Sequence, residues 1–86
     1  MLNETIVNAV TTTNQTYVNA LKAQGKFDAE AQKEAFNKSY NTVLTVLGDE
    51  AQKYLNEAIG DLNEYIRTAI ERQVTIDKIL PATSNG

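Results

Sequence analysis

Leu55, Ile59, Leu62, Ile66, Ala69, Gln73, Ile76 and Leu80 follow one another at intervals of 4, 3, 4, 3, 4, 3 and 4 residues. This is an a/d heptad register sustained for more than three heptads, and it commits the last third of the chain to a helix with an apolar seam. Tyr54, Ala58, Tyr65, Ile70 and Val74 lie beside the seam and widen the apolar face, so the helix needs neighbours on two sides. The final segment is therefore expected to be the central helix, touching both earlier ones or a partner chain.

The rest of the chain must supply those neighbours, and its few punctuators divide it. With one Pro and four Gly in 86 residues and few alternating β-branched runs, helices are expected throughout. In "AQGKFDAE", Lys22 occupies a last turn, Gly25 sits just past a helix end, and Asp28 is an N-cap before Glu30. In "LGDEAQ", Gly48 ends a second helix, and Asp49 with Gln52 reads as a capping box opening a third. The predicted fold is an all-α three-helix bundle with coiled-coil-like packing, its helices covering about residues 2–24, 28–47 and 49–80. Residues 1–80 form one domain, and after Pro81 stops the last helix, 81–86 form a disordered tail.

Gly60 and Asp61 give conflicting signals inside the third helix. Asp61 followed by Glu64 resembles another capping box, which would make Gly60 a helix end. Yet the heptad register passes through unchanged and a loop would usually shift it, so a continuous or slightly kinked helix is the favoured expectation.

Helix two carries Phe36, Tyr40, Val43, Leu44 and Leu47 at spacings of three and four, which gives its second half a buried face. Its first half, "DAEAQKEA", is Ala-rich and suited to lying flat against a neighbour. Helix one is thinner in apolar residues and reads in two ways. Val7, Val10, Asn14, Tyr17 and Leu21 follow a short heptad with Asn14 at an a position, where Asn fixes register and partner number. Alternatively Ile6, Val10, Thr13 and Tyr17 lie on helix three, with Asn14 facing solvent. The candidate helix-interface residues are thus Val7, Val10, Asn14, Tyr17, Leu21, Leu55, Ile59, Leu62, Ile66 and Ile76.

The chain lacks Cys and His, which removes disulfides, thiolate nucleophiles, imidazole bases and the common zinc and haem ligands. Its eight Lys and Arg are scattered and the net charge is -3, so the basic footprint of a nucleic-acid binder is missing. Glu57, Asp61, Glu64 and Glu71 share one helical face, but Lys53 and Arg67 at i±3 and i±4 make that a solvated ion-pair face. The four Tyr sit on or beside the apolar stripes and are assigned to core or interface packing, with the hydroxyl reaching water. Three N-x-S/T matches, at Asn3, Asn14 and Asn37, are what an Asn- and Thr-rich chain yields by chance. No catalytic, cofactor-binding or metal-binding residue is identified, and a non-enzymatic protein without a cofactor is expected. No stretch reaches the roughly 18 apolar residues of a membrane span and no signal peptide follows Met1, so the expectation is a soluble chain.

The segment from Gln15 to Val74 carries "GKFDAEAQKEAF", "GDEAQKYL" and "IGDLNEYI". With these it resembles the C-terminal region of small phage or prophage proteins of the LLH-type holin superfamily. The resemblance implies a longer protein with one N-terminal transmembrane helix, a helical soluble part and self-association at the membrane during host lysis. The chain itself has no membrane segment, so only oligomerisation and anchoring carry over, and no residue-level role does. The expected partners are a second copy of the chain or another protein, and the expected location is cytoplasmic or membrane-associated through an N-terminal segment. The alternative is a free-standing helical adaptor that binds a protein through its Leu55–Leu80 face.

Overall fold

In a computed structural model, residues 2–79 are described, with side chains through Ile76, and they form a three-helix bundle without strands. Helix α1 runs over residues 2–23 as three consecutive pieces, Leu2–Thr13, a π-helical turn Asn14–Val18, and Asn19–Ala23. Helix α2 is Ala29–Ile59, bent at Gly48, and α3 is Leu62–Ile79. Each of the three packs on the other two, so α3 shares the centre with its neighbours. Leu80 and the expected tail at 81–86 lie outside the described residues.

The first joint follows the expected chemistry. Gly25 takes φ 70°, the Lys26 N–H donates to the Leu21 carbonyl at 2.8 Å, and the Gly25 N–H donates to Lys22 at 3.0 Å. That pair of bonds is a Schellman motif, which satisfies carbonyls left open at the end of α1. Three residues on, Asp28 caps α2 by accepting from the Ala31 N–H at 2.9 Å.

At the second joint the expected boundary between helices 28–47 and 49–80 is corrected to a bend within α2, since the helix resumes directly after Gly48. Gly48 sits at φ 81°, ψ 169°, a region open essentially to Gly alone. The Gln52 side-chain amide reaches back across the bend and donates to the Leu44 carbonyl at 2.8 Å, so it serves the end of the preceding turn.

At Gly60 the structure corrects the favoured expectation of a continuous helix. Gly60 has φ 104°, and the chain leaves the helix before α3 begins at Leu62. Asn56 clamps the break: its carbonyl accepts from the Gly60 N–H at 2.8 Å and its side-chain oxygen accepts from the Leu62 N–H at 3.0 Å. Asp61 caps α3 by accepting from the Glu64 N–H at 3.1 Å. The Leu62 and Glu64 N–H groups, freed by the break, are thus each bonded to a side chain, and the capping signal outweighed the unbroken heptad spacing.

The core is built from Ile6, Ala9 and Val10 of α1, Val43 of α2, and Leu62, Ile66 and Ile70 of α3, with Leu2, Phe36, Tyr40, Leu44, Leu47 and Leu55 packed around it. The burial follows rows spaced by four: 2, 6, 10 on α1; 31, 35, 39, 43, 47 on α2; 62, 66, 70 on α3. Such i±4n rows are the ridges used in the commonest packing of globular helices. They take Ile70 into the core at 1% exposure and leave the heptad positions Ile59 and Ile76 each 40% exposed.

Toward the α1–α2 joint, the π-helical end of α1 packs on α2. Here Val18, Ala31 and Ala35 are buried, and small alanines let α2 lie close to α1. The π-helical turn makes this contact workable. In an α-helix the five residues from Thr13 to Val18 would rotate the side chain about 140° off the buried line. The wider turn, closed by the Asn19 N–H bonded to the Asn14 carbonyl, reduces that rotation and returns Val18 to the α2 side. The Thr16 hydroxyl donates to the Thr12 carbonyl at 2.8 Å, a side-chain bond at the point where the ladder changes pitch.

Candidate interaction surface

Among the described residues, no group of three or more acidic side chains is arranged to hold a metal ion. The carboxylates of Glu57, Asp61, Glu64 and Glu71 are all exposed, and the Gly60 break separates Glu57 from the others. Arg67, which sequence spacing offers to Glu64 and Glu71, lays its guanidinium over the Phe36 ring at 5.1 Å to the centroid.

The interface candidates separate into two sets. Val10, Leu62 and Ile66 are 1%, 4% and 0% exposed and belong to the core of the chain itself. Asn14, Tyr17, Leu21 and Leu55 are half-buried, while Val7, Ile59 and Ile76 are exposed. On α1 the second of the two sequence readings describes the packing better, since Ile6, Val10 and Thr13 are buried with Tyr17 half-buried. Asn14 departs from that reading in being half-buried rather than turned to solvent.

The tyrosines divide likewise. Tyr40 is half-buried and its hydroxyl donates to the Asn63 side-chain oxygen. Tyr17 is half-buried under the Lys38 ammonium, 4.9 Å from the ring centroid. Tyr54 is 71% exposed and takes no part in the core of the chain.

Between α1 and α3 runs a shallow groove lined by Asn3, Glu64, Tyr65, Thr68, Ala69 and Arg72. It is spanned by the Tyr65 hydroxyl, which donates to the Asn3 side-chain oxygen at 3.2 Å. With about 100° of rotation per residue, Tyr65, Ala69, Arg72 and Ile76 fall on one flank of α3, and Asn3 and Val7 share the facing flank of α1. The opposite flank of α3 turns Asn63 and Arg67 to α2. The exposed candidates Val7 and Ile76 thus stand one turn along their helices from the groove residues Asn3 and Arg72, on the same flanks. Sequence reasoning did not single out Thr68 and Arg72 as groove residues; the available signal was a pair of opposite charges, Glu64 and Arg72, two helical turns apart with the small Thr68 and Ala69 near their midpoint.

A second concavity, at the α1–α2 joint, is lined by Tyr17, Leu21, Lys26, Glu34 and Lys38 among others, and is wide open. No helix among the described residues is long and apolar enough to cross a membrane. Comparison with protein-family models, with curated proteins and with solved structures finds no match for this chain.

Proposed function

We propose that this chain is a non-enzymatic association module whose helical surface binds a second copy of itself. The observation that carries the reading is the α1–α3 flank, where Val7, Tyr65 and Ile76 are 38%, 38% and 40% exposed beside one groove. Three helices of this length already enclose a core without Val7 and Ile76, so these two side chains are spare to the fold and available to a partner. Their setting follows from the resemblance carried by Gln15 to Val74: the extramembrane part of a phage- or prophage-encoded, membrane-anchored protein of the holin-like kind.

Sedimentation equilibrium from about 10 μM to 1 mM tests self-association, because helix-pair interfaces at the small end of the size range give weak complexes. Concentration-dependent mass is expected, and Val7→Ser or Ile76→Ser weakens it without altering helicity. A mass that stays at one chain over that range overturns the reading. The coding sequence upstream of Met1 tests the setting, where an in-frame apolar span of about 20 residues is expected.

A free-standing adaptor is the second reading. It is favoured by Tyr54 and Ile59, which are 71% and 40% exposed on the Leu55–Leu80 side of the chain. An adaptor predicts a monomer that acquires mass only with a different protein.

A further inference from the structure

We propose that the occupant of the α1–α3 groove is the α3 helix of a second copy, laid antiparallel about a two-fold axis at Thr68. This inference rests on the self-association reading and adds its geometry. Glu64 and Arg72 both line the groove and both are exposed. They lie eight residues apart, about 12 Å along the axis, and Thr68 stands midway between them.

A two-fold interface repeats each contact: if residue i meets residue j, then j meets i. An antiparallel α3 pivoting at Thr68 therefore sets Glu64 against the partner's Arg72, and Arg72 against the partner's Glu64. A parallel arrangement sets Glu64 on Glu64 and Arg72 on Arg72, two like-charge contacts that disfavour it. The charge pattern of the groove is thus complementary to itself in one orientation alone.

The centre of the groove fits a helix crossing. Thr68 and Ala69 are small, so two backbones can approach there, while the larger Tyr65 and Arg72 stand toward the ends. The same pivot carries Ile76 toward the partner's turn at Gly60, which covers an apolar side chain that the single chain leaves 40% exposed. With α3 about 27 Å long, the contact sits at the low end of specific interfaces, and a dissociation constant on the order of ten micromolar or weaker is expected.

Charge exchange tests the geometry on the full chain. Glu64→Arg and Arg72→Glu, made singly, each place like charges at both ends of the two-fold contact, and each should weaken self-association at least about tenfold. Mixed in equal amounts, the two variants restore both pairs, so the mixture should sediment as a dimer at concentrations where neither variant does; the double variant should dimerise alone. Circular dichroism melts establish that the exposed substitutions leave the fold intact. If the wild-type chain self-associates but the single variants match it, or the mixture fails to recover, the antiparallel geometry is overturned and the association reading stands. If the wild-type chain never self-associates, both fall.

Discussion

The Ser39 hydroxyl of α2 donates to the Thr13 hydroxyl of α1 at 2.9 Å, and both residues are buried, at 3% and 5% exposure. The bond joins the two helices where the three-helix core gives way to the Val18–Ala31–Ala35 contact, at the entrance to the π-helical turn. A buried hydrogen bond stabilises by a net of only about 0.5–1.5 kcal/mol, whereas a buried hydroxyl that loses its partner carries a desolvation cost of about 1–3 kcal/mol. Ser39→Ala and Thr13→Val should each destabilise by about that amount. The double variant should lose less than the sum, because neither side then holds an orphaned group, and a double-mutant cycle in urea reads the coupling.

Ile66 is fully buried among Ile6, Val10 and Val43. Ile66→Val should cost about 0.5–1.5 kcal/mol, and Ile66→Asp should abolish the cooperative transition, since an unpaired carboxylate cannot be buried there without several kcal/mol. An Asp variant that melts as cooperatively as the parent would remove Ile66 from the core.

Gly48 has open space where a side chain would stand, with nothing within 4 Å of an added Cβ. Packing therefore predicts no penalty for Gly48→Ala, while the backbone at φ 81°, ψ 169° predicts a cost of roughly 1–3 kcal/mol. In a domain of this size that corresponds to a melting point lower by about 4 °C or more. An unchanged melting point would show that the bend at Gly48 is not required by the fold.

Asp28→Ala removes the acceptor for the Ala31 N–H at the start of α2 and should cost about 0.5–2 kcal/mol, with Asp28→Asn close to the parent. Chemical denaturation distinguishes the two, and equal losses from both would mean that the charge rather than the cap supplies the stability.

Deletion of Gln15, an exposed residue inside the π-helical turn, should convert that turn to α-helix while leaving Val18 facing α2. A π-turn is the local form of one extra residue in a helix, so removing one restores the regular ladder. Equal or greater stability is expected by thermal melting. A loss above about 2 kcal/mol would show that the wide turn itself supports the contact.

Several of these features are legible in the amino-acid sequence alone. The Schellman end at Gly25 and the cap at Asp28 depend on residues within a few positions of one another, and the buried side of α2 follows from Val43 and its neighbours at helical spacing. At Gly60 the heptad spacing and the capping signal competed, and only the bonds of Asn56 to Gly60 and Leu62 decide between them. The π-turn has no local signature: it exists because Val18 must meet Ala31 and Ala35 while Ile6 and Val10 meet α3, a demand set by two different helices at once.

The sequence by itself determined that the chain is helical, where its first helix ends and its second begins, and which stretches carry apolar stripes, because propensity, capping and periodicity are short-range properties. The tertiary structure decided which part of each stripe is core. Rows spaced by four took Leu62, Ile66 and Ile70 inward, and left Val7 and Ile76 beside the groove between α1 and α3. Helical spacing fixes the angle between side chains on one helix, but the direction in which that helix turns is chosen only when the others are packed against it.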